Sequence, residues 1–183
     1  MNLTQHFTLE ELSHSDYAEA HGIKNYPGQQ AQQNLMMLCV LILEPLRTAI
    51  GQPILINSGY RCKQVNMGVG GVSTSHHLLG LAADINFDNE TQLNAMIRAL
   101  RNNNHLDLAL IERSKSSKWL HVQLPLTNHI PRHKISTINV RKYRNCVKVD
   151  STTNFSIYNV FLLLNLFITL PLPRILKQRC GAT

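Results

Sequence analysis

One stretch constrains this chain more than any other: Ser75-His76-His77-Leu78-Leu79-Gly80-Leu81-Ala82-Ala83-Asp84. It sets an imidazole and a carboxylate seven positions apart, with a glycine between them that changes the course of the backbone. A short helical turn through His77 that stops at Gly80, followed by a strand over residues 81–87, aims His77 and Asp84 at one point from two elements. That arrangement suits a metal ion. Catalytic zinc takes nitrogen and oxygen ligands at about 2.0–2.2 Å, commonly three from the protein with a position left for water. The third ligand is expected from His121 in Trp119-Leu120-His121-Val122-Gln123-Leu124, whose alternation reads as a strand with His121 on the face opposite Leu120 and Val122. A His-x6-Asp pair alone is a weak pattern in a chain with nine histidines, and two satisfied core or surface residues would produce it as well.

The order of several motifs narrows the choice. Ser75-x-His77-x-x-Gly80-x-Ala82-x-Asp84, preceded by Ser58-Gly59-Tyr60-Arg61 and followed by Trp119-Leu120-His121, resembles the signature of the zinc D-Ala-D-Ala carboxypeptidase family. That family includes phage and prophage endolysins that cut peptidoglycan stem peptides. The likeness runs in order over residues 3–124, from Phe7-Thr8-Leu9-Glu10-Glu11-Leu12 through Leu43-Glu44-Pro45-Leu46-Arg47. It implies Zn2+ held by His77, Asp84 and His121. It also implies an α+β fold, with a small antiparallel sheet, helices packed on one side and the zinc cleft on the open face, as in Hedgehog signalling domains and D,D-peptidases.

A hydrolase of this kind needs a general base to take the proton of the attacking water and return it to the leaving amine. Many relatives carry a carboxylate three residues before the second histidine, where this chain has Lys118. Glu112, at the end of the preceding apolar strand, becomes the candidate base, because a hairpin brings it beside Trp119 and His121; an ordinary surface carboxylate is the alternative. Arg61 is the candidate for gripping the substrate's carboxylate or the developing oxyanion, since a guanidinium offers paired donors that fit either group. Ser75 and Gln123 are candidates for the shell around the ligands, Ser75 through the metal aspartate or the substrate. Trp119 is a candidate wall of the pocket. His76, His105, His129 and His133 stay outside the metal set.

The expected activity is zinc-dependent hydrolysis of a peptide bond in peptidoglycan stem peptides, by a carboxypeptidase or an endopeptidase. The alternative is a catalytically silent relative that keeps the metal and serves as a murein-binding or phage structural module. Residues 1–124 carry 9 Lys+Arg against 10 Asp+Glu, net −1, whereas residues 125–183 carry 9 against 1, net +8. The basic balance therefore belongs to the tail, and the first part lacks the clustered basic face of a nucleic-acid binder. The four cysteines have neither zinc-ribbon spacing nor the density of a disulfide scaffold. The first residues show no basic and apolar leader. The expectation is a protein made in the cytoplasm that reaches the wall after release or delivery.

Along the chain, Thr8-x-x-Glu11 has the form of a capping box opening a short helix. A long helix over Gln29–Ile50 buries Leu35, Leu38, Ile42, Leu46 and Ile50, with a kink at residues 41–44 ahead of Pro45. A strand over 53–57, a helix over 62–67, a helix capped near Asn89 and ending at Arg101, and two hairpin strands over 106–112 and 118–124 complete the domain. Residues 125–149 show no convincing periodicity and read as an irregular tail. Phe155 to Leu172 is an apolar run of 18 residues without a charge, at the short end of a membrane span. Asn159, Asn165 and Pro171 weaken that reading, which stands beside one of a poorly packed extension.

Overall fold

A computed structural model of the chain describes residues 1–113, 117–143 and 146–150. The apolar run at 155–172 and the tip of the turn at 114–116 lie outside them.

The chain opens with two five-residue helices, α1 (Leu9–Ser13) and α2 (Asp16–Ala20). Their N-caps are Thr8 and Ser15, whose hydroxyls accept from the Glu11 and Ala18 amides. The long helix follows in three parts: α3 (Gln29–Leu38), a π-helical turn (Cys39–Leu43) and α4 (Glu44–Ile50). Its irregular turn falls where the kink was expected, and the cause is Pro45. Proline lacks the amide that would bond to the Leu41 carbonyl four residues back. The side-chain amide of Asn103 donates to that carbonyl instead, at 2.7 Å.

Next come β1 (Ile56–Ser58), α5 (Lys63–Gly68), a 3-10 turn (His76–Leu79) and β2 (Ala82–Ile85). They are followed by α6 (Glu90–Arg101), β3 (Leu108–Arg113), β4 (Lys118–Gln123), β5 (Lys134–Tyr143) and β6 (Cys146–Asp150). Asn89 caps α6 by accepting from the Gln92 amide. The six strands form one sheet in the order β1-β2-β4-β3-β5-β6.

The class is α+β, as the sequence implies, but the sheet is mixed rather than purely antiparallel. β3 and β4 pair antiparallel as the expected hairpin, while β5 lies parallel to β3 on its other edge, Leu108 opposite Lys134. The irregular tail expected from residue 125 onward therefore gives way to two strands over 134–150. β5 carries the β-branched residues Ile135, Thr137 and Ile138, which fit a pleated, half-buried surface. The described residues belong to one compact unit.

Strand alternation divides the labour of the sheet. Ala83, Ile85, Ala109, Leu120 and Val122 are buried in the core with Leu35, Leu38, Ile42 and Leu46 of the long helix and Leu93, Met96 and Leu100 of α6. Asp84, Leu108, Leu110, Glu112, Trp119, His121 and Gln123 have the opposite parity, and all of them line a single cleft of about 600 Å³.

Candidate metal centre

The site is assembled from one turn and two neighbouring strands. Ser75 is the N-cap of the 3-10 turn, its hydroxyl accepting from the His77 amide at 3.4 Å, and Gly80 ends the turn with a left-handed φ of 71°. A side chain at Gly80 would be strained by that φ and would put a Cβ 2.5 Å from the Ala31 carbonyl oxygen, so the turn requires glycine. His77 projects from this turn. Asp84 and His121 face each other directly across the β2–β4 ladder.

His77, Asp84 and His121 are 3%, 7% and 9% exposed, so three ionisable groups share an almost dry space. His77 Nε2 lies 3.3 Å from Asp84 Oδ1 and 3.3 Å from His121 Nδ1, and His121 Nδ1 lies 2.9 Å from Asp84 Oδ1. Ligands at about 2.0–2.2 Å from a tetrahedral ion stand about 3.3–3.6 Å from one another. Two of the three separations meet that edge and the third is slightly shorter, so the set fits a small divalent cation.

The outer nitrogens of the two rings fix their tautomers. His77 Nδ1–H donates to the Gly59 carbonyl at 2.6 Å, and His121 Nε2–H donates to Gln123 Oε1 at 3.0 Å. In its neutral form each ring therefore turns its unprotonated nitrogen inward, toward a carboxylate oxygen. For His121, burial lowers the pKa but the hydrogen bond and charge of Asp84 outweigh it and raise the pKa, so a proton competes with an ion for that nitrogen. Facing one another in the neutral form, the three atoms repel unless a proton or a metal cation lies between them. Outer-shell bonds of this kind orient ligands and raise their basicity.

The Gly59 carbonyl is itself anchored. The Tyr60 amide donates to the Leu12 carbonyl at 2.6 Å, the Arg61 amide to the His77 carbonyl at 3.1 Å, and the Asn25 side chain to the Tyr60 carbonyl at 3.0 Å. Gly59 packs so closely on the Leu12 backbone that no Cβ fits there.

Charge follows geometry. Burial disfavours the Asp84 carboxylate, but the charges and hydrogen bonds of His77 and His121 outweigh it and hold its pKa well below the ordinary value. Burial lowers the pKa of His77 despite Asp84. Glu112 is pushed above the usual carboxylate range, first by burial and then by the negative charge of Asp84.

The remaining candidates divide. Glu112 and Trp119 sit opposite each other in the β3–β4 ladder and both line the cleft. Lys118 has the opposite parity; its ammonium lies 4.8 Å over the Phe87 ring, away from the cleft side. Arg61 is turned inward rather than toward open solvent: Nη2 donates to Asp84 Oδ2 and Nε to Ser58 Oγ at 2.8 Å. Ser75 bonds the His77 amide and not Asp84, so it holds the turn. Gln123 meets His121 directly.

Three partners were not anticipated. The Gly59 carbonyl carries no side-chain signal. Asp107 is a lone acid between Leu106 and Leu108, and a carboxylate in an apolar run needs a partner if it is buried; that was the signal available. Its partner, Arg132, lies in a segment without periodicity. His76 also lines the cleft without joining the ligands.

A helix-backed sheet carries a buried His-Asp-His set at the floor of an open cleft, an arrangement that could hold a metal ion beside a substrate. The family model described as Peptidase M15 matches residues 5–123, and the chain belongs to that family of zinc metallopeptidases. A comparison with curated proteins finds no match.

Proposed function

We propose that this protein is a zinc-dependent peptidase acting on peptide bonds in peptidoglycan stem peptides. The observation that carries the proposal is the convergence of His77 Nε2, Asp84 Oδ1 and His121 Nδ1 at 2.9–3.3 Å, with the outer nitrogen of each ring held by an acceptor. Two nitrogens and one oxygen match the donor set of catalytic zinc sites. When bound, zinc supplies a Lewis acid for a scissile carbonyl and lowers the pKa of water to about 7.

The chain's own residues supply the rest. Glu112 is the carboxylate on the cleft floor whose raised pKa suits a group that takes a proton from water and passes it to the leaving amine. Arg61 holds the second oxygen of Asp84, which keeps the first turned toward the imidazoles. Its role is thus to position a ligand, and contact with a substrate carboxylate is secondary to that. Trp119, Val72 and Ile138 give the cleft apolar walls against which stem-peptide side chains can lie. With its floor on the sheet, such a protein acts on the wall once released or delivered there.

The test is turnover of purified muropeptides with defined ends, measured alongside zinc content. Wild-type protein is expected to cut them, and the position of the cut distinguishes terminal from internal cleavage. Glu112→Gln is expected to retain zinc while losing about 10²–10⁴-fold in rate. A zinc-loaded wild-type protein that cuts no muropeptide would leave the catalytically silent, murein-binding alternative. An unchanged rate in Glu112→Gln would move the base elsewhere.

A further inference from the structure

Asp107 immediately precedes β3, is 3% exposed, and receives donors on both oxygens. The Arg132 amide and Nε donate to Oδ1 at 3.0 and 2.9 Å; Arg132 Nη2 and Gln123 Nε2 donate to Oδ2 at 2.6 and 2.8 Å. Burial raises the pKa of this carboxyl, but the hydrogen bonds from Arg132 and Gln123 overcome that and bring it to about 2, so it is a carboxylate in neutral solution. A carboxylate only accepts hydrogen bonds. Gln123 must therefore turn its NH2 toward Asp107 and its oxygen toward His121. An amide oxygen also only accepts, so the neutral ring of His121 carries its proton on Nε2 and offers Nδ1 to the ion.

We propose that Arg132 and Asp107 are positioning residues of the metal centre, setting the polarity of the Gln123 amide and through it the tautomer of His121. Residues 125–134, beyond the length matched by the family model, thereby become a working part of the site. The inference rests on the metal-binding reading given above. Its logic is one of polarity rather than packing: replacing the Asp107 carboxylate by an amide of the same shape sets NH2 against donors. The Gln123 amide then turns over, and the His121 proton moves to the nitrogen that should face the metal. The segment is fixed to β3 independently of the guanidinium, since the His133 amide donates to the Leu106 carbonyl at 3.3 Å and the Lys134 amide to the Asp107 carbonyl at 3.1 Å.

Two measurements on the full-length chain test this. The first is zinc affinity by competition with a chromophoric chelator; the second is the nitrogen-15 NMR signature of the His121 ring in metal-free protein under mildly alkaline conditions. Asp107→Asn and Arg132→Gln are each expected to weaken zinc binding by about 10–100-fold, and Asp107→Asn to move the His121 proton from Nε2 toward Nδ1. Arg132 has a half-exposed side chain, so its variant guards against a failure of Asp107→Asn to fold. Wild-type zinc affinity in folded Arg132→Gln, or an unmoved His121 proton in Asp107→Asn, overturns the inference. His77→Ala separates it from the broader reading: zinc retained in that variant defeats the metal site itself, whereas zinc lost there but kept in Arg132→Gln defeats only the relay.

Discussion

Each ligand imidazole has one ring nitrogen fixed by an outward acceptor and the other free to coordinate, so the centre depends on single hydrogen bonds as much as on its three ligands. The Arg132–Asp107 pair shows this in its pH dependence. Asp107 has a folded pKa of about 2, below the ordinary aspartate value of about 3.9. Its contribution to stability is therefore fully present above about pH 4 and disappears as pH falls toward 2. Denaturant unfolding of metal-free wild type and Arg132→Gln should show a stability gap at pH 6 that closes over that window; a gap that widens on acidification would contradict the pairing. The grouping of His77, Asp84 and His121, which the structure brings together, came from the ordered motifs of the family resemblance, because the His-x6-Asp spacing alone is a weak pattern. Arg61 was placed at the site, but its orientation was not legible: whether a guanidinium grips substrate or a neighbouring ligand depends on a distance that no spacing encodes. Asp107 and Arg132 meet only when a parallel strand returns to β3.

Among the elements, the long helix was read well because its buried residues recur at helical spacing and its proline marks the irregular turn. The repair of that turn was not legible. Asn103, just past the end of α6, donates to the Leu41 carbonyl freed by Pro45 and so joins two helices that are distant in sequence. Asn103→Ala is expected to destabilise the fold by about 1 kcal/mol, the usual net value of such a bond. Thermal or denaturant unfolding checks this, and an unchanged midpoint would mean that water replaces the amide without loss. β5 escaped the sequence reading for a different reason. Its Lys and Arg residues mask a β-branched run, and what makes it a strand is the free edge of β3, a partner visible only once the sheet exists.

For the whole molecule, the sheet separates two tasks, holding its helices by one face and building the metal centre with the other. Gln29–Ile50 is long and apolar enough by composition to cross a membrane; one face of it, with Leu35, Leu38, Ile42 and Leu46, is buried in the core, while Met36, Met37 and Val40 are exposed. The excess positive charge lies past residue 124 and the three candidate ligands before it, and from that basic part Arg132 reaches the cleft. The proposed chemistry depends on one ion joining a turn to two strands. The most direct measurement is metal stoichiometry by elemental analysis after zinc loading and exhaustive dialysis, on wild type and on the separate His77→Ala, Asp84→Ala and His121→Ala variants. One zinc per wild-type chain and nearly none in each folded variant is the expected result. Stoichiometric zinc in all three variants, or none in the wild type, would contradict the account.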